Sequence, residues 1–101
     1  MEKQNALTIK LLPITGPFAE NKDIGKDIRV DKIEPALGKG IDIILDFNGI
    51  EGATQSFIHS MISQVIRDNG NAIIDRIFFK DCVDDVKAII SIVISYMQDS
   101  D

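Results

Sequence analysis

Ile41-Asp42-Ile43-Ile44-Leu45-Asp46-Phe47 is the stretch that decides the fold. It is nearly continuous in apolar, β-branched residues, the composition of a strand in the interior of a parallel sheet. A strand of this kind is expected to be covered on both faces, which calls for helices on either side of the sheet. Asn48-Gly49 marks its exit, and Ile50 to Ala53 reads as the loop beyond its carboxyl end.

Downstream, Thr54 to Asn69 carries Phe57, Ile58, Met61, Ile62, Val65 and Ile66 as two adjacent rows four residues apart, one broad apolar face of a helix. Ser56, His59, Ser60, Ser63 and Arg67 fall on the opposite, polar side. Thr54 or Ser56 can cap the helix through a side-chain oxygen, and Asn69-Gly70-Asn71 stops it. Arg76 to Lys80 reads as another strand, with Ile73 and Ile74 as an earlier start, and Asp81 or Cys82 as the cap of the final helix. That last element, Asp84 to Met97, alternates like a strand at its centre. Its polar residues Asp84, Lys87, Ser91, Ser95 and Gln98 recur at steps of three and four, a stripe that only a helix produces.

Upstream, Leu7 to Leu11 alternates apolar and polar side chains as a half-buried strand does, and Pro13 and Gly16-Pro17 close it. Phe18 to Asp23 reads as a loop with room for a short extended piece at Phe18. Gly25 to Leu37 has helical spacing at Val30, Ile33 and Leu37, against which Pro35 removes a hydrogen bond and crowds the preceding turn. Two readings are open, a helix kinked at Pro35 or one that begins only near Asp31, and the kinked helix is favoured. Gly38 and Gly40 end it. The order strand, helix, strand, helix, strand, helix predicts a small βαβαβα layer fold of the α/β class with a mainly parallel central sheet.

The chain has 101 residues, with 45% hydrophobic and 27% charged residues. That suits one domain, 1–101, with a core of about 7–97 and short flexible termini; at this size no disulfide or metal is needed for folding. The net charge of −5 argues against sequence-independent nucleic-acid binding, which needs a surplus of Lys and Arg. One Cys and one His exclude a disulfide framework or a Cys/His zinc cluster within the chain, and a lone Cys suits a reducing, cytoplasmic compartment. The first residues lack a signal-peptide pattern, and no apolar stretch approaches the ~20 residues of a membrane helix.

The residues able to carry chemistry are few. His59 sits on a polar helix face without an evident nucleophile, and the same pattern describes an exposed surface histidine. Cys82 precedes a helix, where a thiol pKa can be lowered, yet it reads first as a small buried or capping residue. Asp46 ends the central strand, at the sheet edge where ligands collect in α/β folds; a carboxylate taking backbone N–H groups of the next loop explains it equally. Gly49 and Gly52 flank that loop without forming a phosphate or dinucleotide motif, so no cofactor and no metal are expected. Thr54 and Ser56 present hydroxyls at a helix N-terminus, where free N–H groups and the dipole favour negative charge; plain capping explains the same residues.

Leu45-Asp46-Phe47-Asn48-Gly49-Ile50 followed by Thr54-Gln55-Ser56-Phe57 resembles the STAS-like family of unknown function, related to the sulfate transporter and anti-sigma factor antagonist domains. Gly16-Pro17-Phe18, Ile33-Glu34-Pro35-Ala36-Leu37 and Asp75 to Lys80 add to the resemblance, which covers roughly residues 7 to 97. It implies a non-catalytic regulatory domain that acts by protein–protein contact. In phosphoregulated relatives a serine at the start of the helix after the central strand is modified by a partner kinase, and the phosphate disrupts docking. Ser56 or Gln55 occupies that place and Thr54 is a rival acceptor, while the Asp-Ser of the antagonist motif is absent. The docking surface implied comprises Asp46, Asn48, Gly49, Gly52, Ser56 and His59, and the partner an ATP-binding switch kinase or an anti-sigma-like factor. A ligand-binding or enzymatic module at Asp46 is the alternative. A self-associating accessory protein is a third, since Ile92 lies beside the polar stripe of the last helix and widens its apolar face enough for a homodimer or partner contact.

Overall fold

A computed structural model describes residues 6–99. Three strands, β1 (Ala6–Lys10), β3 (Asp42–Asp46) and β5 (Ile77–Lys80), form one parallel sheet in the order β1-β3-β5, so the Ile41 strand is central, as its composition predicts. A second, two-residue parallel ribbon joins β2 (Phe18–Ala19) to β4 (Gly52–Ala53). The helices are α1 (Leu12–Thr15), α2 (Lys22–Ile28), α3 (Glu34–Gly38), α4 (Gln55–Asn69) and α5 (Asp84–Asp99). Of the flexible termini expected before residue 7 and after residue 97, residues 1–5 and 100–101 lie outside the described residues; Ala6 belongs to β1, and Gln98 and Asp99 to α5. No helix among the described residues is long and apolar enough to cross a membrane.

The core lies on one side of the sheet. Ile9, Leu45 and Ile43 are buried on the same face as Ile77, and against them pack Ile28 and Ile33, the α4 row of Phe57, Ile58, Met61 and Ile62, and Val86, Ile90 and Val93 of α5. Phe47 and Phe79 meet with ring centroids 6.4 Å apart. Burial of this many large side chains is the main stabilising term of the fold.

The expectation of helices on both faces is therefore corrected. On the second face the row Thr8, Ile44, Phe78 is in register across the three strands, Thr8 and Phe78 are exposed, and Ile44 is only half-buried. Leu45 and Ile43 satisfy the core, while Asp42 and Asp46, which interrupt the apolar run, share the open face with Ile44. Those two carboxylates were the sequence signal of a one-sided sheet.

Local corrections have equally local causes. α2 begins at Lys22, earlier than Gly25, because Asn21 caps it, accepting from the N–H groups of Asp23 at 2.8 Å and Ile24 at 3.4 Å. The kink ahead of Pro35 is a π-helical turn over Arg29–Ile33, in which the Glu34 N–H reaches back to Arg29 O. The wider turn lets the chain enter α3 with Pro35 in its first turn, where a missing N–H breaks no bond. Arg29 pins this turn, donating to Glu34 Oε2 at 2.6 Å and to Ser60 O of α4 at 3.2 Å. β1 ends at Lys10 and Pro13 opens α1 rather than a loop. Ile73 and Ile74 belong to a 3₁₀ turn over Asn71–Arg76, not to β5. Neither Asp81 nor Cys82 caps α5, which starts at Asp84; Val83 O takes the Lys87 N–H.

Candidate functional site

The site is built at the carboxyl end of β3. Asp46 is buried to 8% exposure, and its Oδ1 accepts the Asn48 N–H at 2.9 Å. The chain then turns over Phe47 to Ile50, closed by the Ile50 N–H on Phe47 O at 2.9 Å. Gly49 adopts φ +86° there, a left-handed backbone that favours glycine, and its bare Cα lets the end of the Leu12 side chain approach closely.

The loop is held from the other side by the Gly16-Pro17-Phe18 segment. Pro17 O accepts the Glu51 N–H at 2.7 Å, and Ala19 O accepts the Thr54 N–H at 3.0 Å. Phe18 is 55% exposed and its ring lies over Gly52, where a Cβ would meet it at 3.4 Å. Residues 50–53, expected as loop only, thus include β4. A two-residue parallel pairing across more than thirty positions leaves no periodic trace in the sequence.

Thr54 is the N-cap of α4. Its Oγ1 accepts the Phe57 N–H at 3.1 Å and lies 3.5 Å from Ser56 Oγ. Ser56, in the first turn, is open to solvent, and its hydroxyl has Thr54 Oγ1 as a polar neighbour. His59, one turn further, is exposed as well, with Nδ1 3.3 Å from Ser63 Oγ. Ser63 itself is buried, contrary to its place on the expected polar side, and satisfies its hydroxyl on His59 O. Ser60 is half-buried for a related reason: Gly25 brings α2 so close that a Cβ would meet Phe57 O at 2.9 Å.

The expected site residues therefore divide into two neighbouring surfaces. Gly52, Thr54, Ser56 and His59 succeed one another along the β4–α4 rim, with exposed Phe18 beside them. Asp46 and Asn48 instead line a cavity of about 300 Å³ with Lys10, Leu12, Lys80 and Asp81. Lys10 and Lys80 flank Asp46 in register on the open sheet face, and Asp81 turns the chain away with φ +57°. Gly49 stands between the two surfaces. The cavity contains neither His59 nor Cys82, which lies in an apolar groove between β5 and α5. Sequence reading missed Phe18, Lys10 and Lys80; the exposed aromatic in Gly-Pro-Phe and the like position of each lysine at a strand end were the available signals.

Burial pushes the Cys82 thiol pKa up from its ordinary value, with Asp81 adding to the rise and Lys87 opposing it. The lowered pKa considered for a thiol ahead of a helix is thus reversed. Alkylation of Cys82 by iodoacetamide at neutral pH should be slower in the folded protein than in urea, because less thiolate is present; equal rates would contradict this environment.

A parallel sheet with its core helices on one face, carrying a hydroxyl-bearing helix start beyond its central strand, defines a small α/β domain; in such folds ligands collect at the carboxyl ends of the strands. The chain belongs to the family described as STAS-like domain of unknown function (DUF4325), whose model matches residues 25–87. No curated protein and no solved structure matches it.

Proposed function

We propose that this STAS-like domain is a non-catalytic regulatory module that docks on a protein partner through the β4–α4 rim and is switched by phosphorylation at the start of α4. The observation that carries the reading is Ser56: a solvent-open hydroxyl in the first turn of a capped helix, beside an exposed aromatic. A phosphate there adds about −1.5 to −2 charge next to a helix N-terminus that can hold it. On a chain of net charge −5 the added charge repels an acidic partner surface. Ser56 is exposed, so the effect falls on docking and not on folding. Thr54 is the rival acceptor, but its oxygen is engaged in the cap. The partner suited to such a switch is an ATP-binding kinase or an anti-sigma-like factor in the cytoplasm.

In a pull-down with the full chain from its own cells, the wild type and Ser56→Ala should retain an ATP-binding kinase and Ser56→Asp should lose it, with melting temperatures nearly equal. Mass spectrometry after incubation with that kinase should place the phosphate on Ser56. Binding that survives Ser56→Asp, or a phosphate found only on Thr54, would remove the Ser56 switch.

The cavity at Asp46 favours a second reading, a ligand-binding module in which Lys10 and Lys80 hold anionic groups and Asp46 takes a donor. Chemical-shift changes confined to Lys10, Asp46, Asn48 and Lys80 on titration with small zwitterions would select it over the docking module.

A further inference from the structure

Two exposed surfaces extend beyond the rim: the open sheet face, whose lysine end forms part of the cavity, and a stripe on α5. The face has an apolar centre of Ile44 and Phe78 with Thr8 beside them in register, Phe78 being 50% exposed. One end of it carries Lys10 and Lys80 about Asp46; the other carries the ion pair of Arg76 Nε with Asp42 Oδ1 at 3.0 Å. The α5 stripe is Asp85, Ile89, Ile92 and Tyr96, at steps of four, three and four on one side of the helix. Ile92 is 49% and Tyr96 63% exposed, and Asp85 is exposed. Val86, Ile90, Val93 and Met97 of the same helix face the core and Ile89 packs at its margin, so Asp85, Ile92 and Tyr96 are the part of the stripe surplus to this chain's own packing.

We infer that the stripe of α5 in one copy seats on the open sheet face of a second copy, head to tail, and supplies the helical layer that the sheet lacks. The charges match: acidic Asp84 and Asp85 at the start of α5 meet Lys10 and Lys80, on a chain whose overall charge would otherwise keep copies apart. The lengths match too. Ile92 to Tyr96 spans about 6 Å of helix, and Ile44 to Asp42 about 6.6 Å of strand. With Ile92 over Ile44 and Phe78, Tyr96 reaches the Arg76–Asp42 pair. Asp85, about 10.5 Å back along the helix, lies just past the strand end at about 6.6 Å, where the long side chains of Lys10 and Lys80 can meet it. A two-fold stacking of face on face along the strands would instead set Lys10 against Lys80 and Asp46 against Asp46, so the sheet is a poor partner for itself. Because donor stripe and acceptor face are different surfaces, the contact is heterologous and repeats from copy to copy.

Sedimentation of the full chain from micromolar to millimolar concentration should show species growing beyond the dimer. Phe78→Glu on the face and Ile92→Lys on the stripe should each be monomeric with unchanged circular dichroism. Their equimolar mixture should form a dimer and stop, since the intact stripe of the first chain meets the intact face of the second. Lys80→Glu, wholly on the surface, serves as the face variant if Phe78→Glu fails to fold, and adding Asp85→Lys to it should restore association. A wild-type chain that stays monomeric throughout, association that mixing the two variants fails to rescue, or one variant that still associates by itself overturns the proposal; the last result marks a symmetric contact through one surface alone. Neither outcome touches Ser56, so the docking reading stands or falls separately.

Discussion

Phe57→Ala is expected to remove about 3–5 kcal/mol of stability, the range for deleting a buried aromatic ring. Phe57 is fully buried in the first turn of α4, directly after Ser56, and its N–H is the donor that Thr54 caps. Its ring lies beside the Gly25 backbone where α2 crosses, so alanine opens a cavity between two helices whose close approach leaves little to collapse into it. Against a total stability of about 5–15 kcal/mol for a domain, such a loss leaves the fold marginal. Urea titration followed by circular dichroism should show a lower midpoint with an unchanged slope; a midpoint within error of wild type would mean that the α2–α4 junction is not packed as described. The change also loosens the helix start that presents Ser56, so a docking defect in this variant tracks stability, unlike that of Ser56→Asp.

Gly25→Val tests the same junction from the opposite side. Adding a β-branched side chain where a single Cβ already meets Phe57 O at 2.9 Å, and overlaps Ser60 Oγ, forces α2 away from α4. Overpacking of this kind typically costs about 1–3 kcal/mol, and a backbone carbonyl cannot rotate aside, so the upper end or more is expected. Helix propensity works in the opposite direction by under about 1 kcal/mol, since glycine is a poor helix former, and it is too small to compensate. Pairing Gly25→Val with Ser60→Gly should recover part of the loss, because it removes the hydroxyl but not the carbonyl. Full recovery would mean that the hydroxyl alone set the spacing, and no initial loss would mean that the helices are not in contact there.

Much of the fold was legible because it rests on local chemistry. The central position of Ile41 to Phe47, the amphipathic α4 with its Thr54 cap and the helical polar stripe of α5 all arise from side chains a few residues apart, within reach of one another in any chain of this sequence. The Asp46 carboxylate on the next loop's N–H belongs to the same class. The π-turn before Pro35 does not: the sequence announces a disturbance at a proline, but the way it is absorbed depends on Arg29 reaching Ser60 of another helix.

What the tertiary structure alone decided are the long-range pairings. β2 with β4 brings Phe18 over Gly52 and makes an aromatic part of the rim, and Gly25 against α4 turns Ser60 from an expected polar face into a packed position. Register across the sheet sets Lys10 and Lys80 on either side of Asp46. The apolar content of β3 specifies that it is buried but not how many faces are covered; that depends on where the helices go, and those that build the core, α2 to α5, pack on one side. Residue type determines what a side chain prefers, whereas the number of neighbours it finds is a property of the assembled chain.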